Sequence, residues 1–173
     1  LLSVGLIPEN ELSKAAGVEL SPVTSGPMVD DALQTSVPGI FACGNVLHVH
    51  DLVDNVSEEA AEAGREAADF ARTLSAQRST LNAEVLRVRD GAGVRGLVPQ
   101  AVNAARLTGD LALMFRPAAV YRDAAVVVRI DGAEISRRKH RILTPGEMVK
   151  VLVSKAELQR HAQGRELTVE VAP

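Results

Sequence analysis

The chain has 173 residues, of which 46% are hydrophobic and 24% charged, and this composition predicts one globular domain or two small ones. A net charge of −3 and an aromatic content of 2% argue against nucleic-acid binding, which needs basic surface and, for single strands, aromatic stacking. The single cysteine, Cys43, excludes an internal disulfide and agrees with our prediction of a cytoplasmic location, and no apolar run is long enough to predict membrane insertion.

Residues 1–78 are predicted to form an α/β region. The chain opens inside an apolar run, LLSVGLI, which predicts a strand cut through its middle and a missing N-terminal part of the same protein. Prolines and glycines divide the residues that follow. Residues 28–35 are predicted to form a pair of short edge strands, and residues 39–43 a buried strand that ends at Gly44.

A helix is predicted from Asn55 to about Thr73. Asn55 and Glu58 match the N-cap and N3 positions of a capping box, and Glu58 and Glu59 complement the helix dipole. Small residues at helical spacing form one face that would let the helix lie close against a sheet or a flat ligand: Ala60, Gly64, Ala67, Ala68 and Ala71. The polar residues 75–79 are predicted to be a linker.

Residues 79–173 are predicted to form an all-β, immunoglobulin-like sandwich of antiparallel strands, because the hydrophobic period changes to two. Asp131-Gly132 between two apolar runs is a strong hairpin signal. Ser154 and Glu157 predict a short helix over residues 154–161. The segments that alternate begin near residue 85 and include 111–115, 125–130, 148–153 and 167–171.

The strongest indication of a site lies in residues 35–46 (TSVPGIFACGNV). Gly44 would permit a ligand to approach the backbone closely. Asn45 would present hydrogen-bonding groups at the carboxyl edge of a sheet, where α/β proteins bind ligands. The helix that begins near Asn55 would direct its free N–H groups toward the same edge.

This segment resembles the closing motif of the FAD-dependent pyridine nucleotide-disulfide oxidoreductases, T-x-x-P-G-(I/V)-(F/Y)-A-x-G-D, followed by a helix rich in Ala and Gly. Residues 4–20 resemble the family's crossover from the nicotinamide domain back to the FAD domain. Residues 26–34 (GPMVDDALQ) resemble its hairpin. The resemblance covers residues 1–78 and implies an α/β fragment, the end of a two-dinucleotide-domain flavoprotein fold.

The resemblance implies an enzyme that transfers hydride or electrons between NAD or NADP and an unknown acceptor through FAD. Gly44 and Asn45 would contact the cofactor, with Asn45 at the ribityl chain where the family usually has Asp. The N–H groups of Asp54, Asn55 and Val56 would face the pyrimidine edge of the flavin. No catalytic residue is assigned. The fragment alone is expected to be inactive, because the glycine-rich loops that hold both pyrophosphates are absent from it.

The loop over residues 47–54 (LHVHDLVD) leaves several interpretations open. His48, His50, Asp51 and Asp54 could ligate a metal, shuttle protons beside the flavin, or satisfy loop backbone groups and face solvent. We predict no metal site, and we leave contact with flavin or substrate open.

Three further predictions concern loops, edges and partners. Residues 91–96 (GAGVRG) are read as a β-turn loop rather than a nucleotide fingerprint, because Pro99 prevents a following helix. The basic run at 137–141 is read as a charge-protected edge strand. The uncovered sheet of a partial FAD domain predicts a homo-oligomer or self-association through residues 1–78. The alternative function is a non-catalytic β-sandwich module that docks a subunit or partner.

Overall fold

A computed structural model describes residues 5–73 and 85–172 of the chain. Contacts divide the chain into two compact units, Leu1–Ser79 and Thr80–Pro173. The predicted linker at 75–79 and the first four residues of the opening apolar run lie outside the described residues. No helix in the described ranges is long and apolar enough to cross a bilayer.

The described residues of the first unit form two helices, a 3₁₀ turn and loops. Helix α1 spans Glu11–Ala15, the 3₁₀ turn spans Gly44–Val46 and helix α2 spans Val53–Thr73. The predicted buried strand at 39–43 is wrong, because within the described residues only Phe41 makes a bridge there, to Gln34. An extended segment forms a ladder only beside a neighbouring strand, and this unit offers isolated bridges instead.

The predicted edge pair at 28–35 is reduced to a single bridge between Val29 and Thr35. A buried carboxylate closes the turn between them, since Asp30 Oδ1 accepts the N–H groups of Ala32 (2.9 Å) and Gln34 (3.0 Å). This local hydrogen bonding is typical of aspartate in turns. Asp30, which lies in the segment that resembles the family hairpin, therefore has a structural role in this unit.

Helix α2 begins two residues earlier than predicted. Asn55 is its third residue, so the predicted capping box is wrong, and Asp54 lies in the first turn instead. The small-residue face is largely exposed, and an added Cβ at Gly64 meets nothing within 4 Å. The inward face contains Glu59 and Ala63, and Phe70 packs edge-on against Phe41 with ring centroids 6.0 Å apart. The expected packing of small residues against a sheet is wrong for this unit, because no sheet is present among its described residues.

The second unit is a two-sheet β structure with one hydrophobic core. One sheet has the order β3-β1-β8-β5-β6 and the other β2-β4-β7. The strands are β1 (Leu86–Asp90), β2 (Val94–Val98), β3 (Ala101–Val102), β4 (Leu111–Pro117), β5 (Tyr121–Ile130), β6 (Ala133–Leu143), β7 (Val149–Val153) and β8 (Glu166–Ala172), with helix α3 (Lys155–Arg160) between the last two.

The strand segments predicted from alternation are present in this unit, but the prediction that all strands are antiparallel is wrong. Strands β1 and β8 pair in parallel, with Val88 opposite Leu167. Parallel neighbours need a long connection, and these two strands are the first and last of the unit, so the whole intervening chain connects them. The β-rich character is confirmed, whereas an immunoglobulin-like topology is not.

Local turn chemistry accounts for several features of the second unit. Asp131 (φ 47°) and Gly132 (φ 83°) form the predicted turn between β5 and β6. Strand β6, which contains the basic run, lies at the edge of its sheet as predicted. Residues 91–93 form a turn between β1 and β2 and are followed by a strand, which excludes the nucleotide fingerprint. Ser154 caps α3, because its Oγ accepts the N–H of Glu157 at 3.2 Å.

Candidate functional site

Gly44 packs directly against the first turn of α2. It is buried and has a φ of 67°, a left-handed conformation that favours glycine. A Cβ at this position would lie 3.3 Å from Cγ1 of Val56. The structure therefore brings together the glycine at the end of the 35–46 motif and the beginning of the following helix.

The other predicted cofactor-binding residues surround this contact. Asn45 is exposed, and its Oδ1 accepts the backbone N–H of His50 at 3.1 Å. Asp54 is exposed, while Asn55 and Val56 are half-buried. All three belong to the beginning of α2, where a helix has N–H groups without intrahelical partners. The side-chain amide of Asn45 and the backbone N–H groups at the beginning of α2 thus lie on either side of Gly44.

Next to this contact lies a cluster of three buried side chains, which we call the histidine–glutamate cluster: His48, His50 and Glu59. Nε2 of His48 lies 2.8 Å from Oε1 of Glu59, and Nε2 of His50 lies 3.0 Å from Oε2. The side chains are 4%, 0% and 3% exposed, respectively. The imidazole centroids are 4.4 Å apart with an interplanar angle of 70°. The N–H of Gly44 also donates to Oε2 of Glu59, at 2.5 Å.

The cluster keeps the Glu59 carboxylate ionised. Burial would raise the pKa of Glu59, but the hydrogen bonds from His48 and His50, the attraction of His48 and the N–H of Gly44 outweigh it and lower the pKa from 4.5 to about 2. Burial and the nearby Glu59 charge raise the pKa of Cys43 above 9.0. Cys43 is therefore a thiol at neutral pH rather than a reactive thiolate.

A comparison with known families finds a match for most of the first unit. Residues 1–67 match the family model described as Pyridine nucleotide-disulphide oxidoreductase. These residues are similar to a segment of that family and make up 67 of the 173 residues of the chain. No curated protein and no solved structure matches the chain.

The matched segment includes every predicted cofactor-binding residue and the whole histidine–glutamate cluster. It does not include the second unit, for which no family is shown. The resemblance seen in the sequence is thus confirmed for the N-terminal part of the chain. Nothing in the comparison assigns a role to individual residues.

Sequence reasoning missed Glu59 as a partner of the two histidines. It grouped His48 and His50 with Asp51 and Asp54, both of which are exposed and lie outside the cluster. The signal that could have revealed Glu59 is its register on α2, where it lies three residues after Val56 and four before Ala63. A glutamate within the inward face of a helix needs a buried polar partner.

Proposed function

We propose that the chain is part of an FAD-dependent oxidoreductase that transfers hydride between NAD or NADP and FAD and passes the electrons to a further acceptor. The main support is the family match to residues 1–67, which contain Gly44 packed against the beginning of α2. In this proposal the chain supplies the last contacts to the FAD, and the reactive chemistry belongs to the cofactor.

The residues present fit a flavin at this position. Gly44 keeps the backbone open, since a side chain there would be strained and would press on Val56. The N–H of Gly44 is already bonded to Glu59, so the contact to a ribityl hydroxyl falls to the exposed amide of Asn45. An amide bonds a hydroxyl more weakly than the carboxylate that is usual in the family.

The beginning of α2 would contribute electrostatically. Its N–H groups carry a partial positive charge, which stabilises negative charge on a nearby reduced flavin. In this proposal the groups are those of Asp54, Asn55 and Val56.

The surface of the first unit supports the proposal that more protein covers it. Leu6, Ile7 and Leu12 are 67%, 78% and 87% exposed, and α1 has no buried residue. Apolar side chains this exposed are typical of contact surfaces. In our proposal they meet the nucleotide-binding part of the enzyme or a second subunit, and the 173-residue chain alone is inactive.

The proposal is tested on the protein expressed from the complete reading frame in which this chain occurs. Flavin released on denaturation should equal one FAD per chain, and NADH or NADPH should bleach the flavin without oxygen. Asn45→Ala should weaken FAD binding at least about 10-fold, since it removes a hydrogen bond to the cofactor and also the oxygen that holds the His50 N–H, whereas Asn45→Asp should not weaken it. Asn103→Ala in the second unit is the matched control and should leave the affinity unchanged.

Two results would contradict the proposal. Protein that contains no flavin and takes none up would refute the cofactor assignment, and a bound flavin that neither NADH nor NADPH reduces would refute the reaction. Tight one-to-one binding of FAD by the 173-residue chain alone would contradict its expected dependence on the rest of the enzyme.

The interaction module remains a proposal for the second unit. It does not compete with flavin binding, because the residues concerned lie in different units. The partner we propose for it is acidic, because the edge strand β6 contains four basic side chains over five positions: Arg137, Arg138, Lys139 and Arg141.

A further inference from the structure

The histidine–glutamate cluster has the ligand set of a transition-metal site. Two imidazoles and one carboxylate each offer a ligand atom, and the three atoms lie within 4.8 Å of one another in a buried position. Two ligands bonded to a tetrahedral zinc at 2.0–2.1 Å are about 3.3 Å apart. The histidine-to-carboxylate distances are 2.8 Å to Oε1 and 3.0 Å to Oε2, so an ion bound to one of these oxygens would require the imidazole on the other oxygen to shift toward it.

One nitrogen of each imidazole in the cluster has no hydrogen-bond partner among the described residues. Each imidazole has two polar nitrogens, and Nδ1 of both His48 and His50 is buried with no hydrogen-bond partner among the described residues. A buried polar atom left unpaired costs roughly 1–3 kcal/mol. An ion held through the two Nε2 atoms would leave these Nδ1 atoms unpaired, so the metal site is supported by the positions of the Nε2 and carboxylate atoms alone.

The loop before α2 is shaped to bring the two imidazoles together. Residues two apart in an extended strand point to the same face and stand about 6.6 Å apart, so His48 and His50 would share a side without touching. Here their ring centroids are 4.4 Å apart, because the chain bends after the 3₁₀ turn. The bend is held by the bond from the His50 N–H to Asn45 Oδ1. Both rings therefore face the same carboxylate.

The carboxylate is positioned by a further contact. The N–H of Gly44 donates to Oε2 of Glu59, which fixes the rotation of the carboxylate. Metal ligands in proteins are regularly oriented by such outer hydrogen bonds. Glu59 lies on α2 whereas both histidines lie on the loop, so binding would fasten the loop to the helix.

We infer that His48, His50 and Glu59 bind one divalent transition-metal ion, of which Zn²⁺ is the representative. The imidazole nitrogens favour zinc or ferrous iron over Mg²⁺ and Ca²⁺, which prefer oxygen ligands throughout. Three protein ligands leave one position of a tetrahedral ion for water or a small ligand. This inference replaces our sequence-based prediction of no metal site, and it does not depend on the proposed flavin chemistry.

The test is calorimetric titration of the chelator-treated 173-residue chain with Zn²⁺ in the absence of FAD. One ion per chain is expected. Each of His48→Ala, His50→Ala and Glu59→Gln should weaken binding at least about 100-fold, more than the loss of an outer contact does. Three matched controls remove the same groups elsewhere and should change the affinity less than about twofold: His140→Ala, His161→Ala and Glu58→Gln.

X-ray absorption at the zinc edge of the unmutated chain identifies the ligands directly, so the result does not depend on whether the variants fold. It should show two imidazoles and oxygen ligands at about 2.0–2.1 Å. Anaerobic Fe²⁺ should compete with Zn²⁺, while Mg²⁺ and Ca²⁺ should not. The inference is overturned if Zn²⁺ does not bind, if the cluster variants and controls bind equally, or if the spectrum shows fewer than two imidazoles. Loss of zinc binding would leave the flavin proposal intact, since no FAD is present in these measurements.

Discussion

Replacing Gly26 by alanine should unfold the first unit selectively. An ideal Cβ at Gly26 would lie 1.7 Å from the carbonyl oxygen of Leu47 and 2.5 Å from its carbonyl carbon. Leu47 is fully buried and immediately precedes His48, and its N–H donates to the oxygen of Gly44 at 2.9 Å. The loop that leads into the histidine–glutamate cluster therefore cannot retreat without breaking its own hydrogen bonds.

The magnitude follows from these distances. Ordinary contact begins near 3.4 Å, so one of the two backbones must move by about 1.7 Å. Gly26 is held as well, since its oxygen accepts the N–H of Ser21 at 2.8 Å. Overpacking against a fixed backbone should cost about 3 kcal/mol or more, at the upper end of the usual range. With a slope of about 1 kcal/mol per molar urea, the unfolding midpoint should fall by about 3 M.

The two units can be followed separately in urea. Helix α2 has 21 residues and α3 has 6, so helical ellipticity reports mainly the first unit. Tyr121 is the only tyrosine and the chain has no tryptophan, so fluorescence reports the second unit. Gly26→Ala should lower the midpoint of the ellipticity transition and leave the fluorescence transition unchanged.

Gly64→Ala is the matched control for this substitution. Gly64 lies in α2 with open space around the added Cβ, so alanine should stabilise the first unit by about 0.5–1 kcal/mol. An unchanged ellipticity midpoint for Gly26→Ala would refute the close approach of Gly26 to Leu47. An equal shift in the fluorescence transition would refute the independence of the two units in this assay.

Two other substitutions test individual side chains. The first is Glu59→Gln, compared with the unmutated chain after metal has been removed by chelation. The difference in their free energies of unfolding should shrink by about 3 kcal/mol as the pH is lowered from 7 to about 2. The pKa of Glu59 is about 2 in the folded state against an ordinary 4.5, so the ionised carboxylate stabilises the folded first unit fully above pH 4.5, and this stabilisation is lost as the pH falls through about 2. A difference that stays constant with pH, measured by ellipticity-monitored unfolding, would contradict this. Ser154→Ala removes the cap of α3 and should cost the second unit about 1 kcal/mol in fluorescence-monitored unfolding, and an unchanged midpoint would show that the bond to Glu157 does not stabilise it.

In the second unit, the turns and helix caps that depend on residues close together in the chain could be predicted from the sequence. The turn at Asp131 and Gly132 needs two residues that tolerate positive φ, and both adopt it. Ser154 caps α3 with an interaction only three residues long. The pairing of β1 with β8 could not be predicted, because alternation shows which face a residue takes and not which strand lies beside it.

The first unit was predicted less well, because its sequence has the pattern of strands and a packing face whose neighbouring strands are not found among the described residues. Residues 39–43 read as a buried strand, yet the backbone there has only the bridge from Phe41. Gly64 and its small neighbours read as a packing face, yet they are exposed. A hydrophobic period or a face of small residues shows what kind of surface a segment can pack against. Whether it packs depends on a neighbouring strand or helix being present. The motif around Gly44 was informative because its conformation is required locally.

Asn45 takes part in both functions proposed for the first unit, FAD binding and metal binding. Its side-chain oxygen holds the backbone of His50, while its exposed amide is the group proposed to contact the ribityl chain. Asn45→Asp keeps an oxygen for the His50 N–H and should preserve both the loop and the metal ligands. Asn45→Ala removes that oxygen and releases the loop, so it should weaken zinc binding even though Asn45 is not a ligand. A flavin contact alone would not produce that loss, because the zinc titration contains no flavin, and the coupling must therefore pass through the loop.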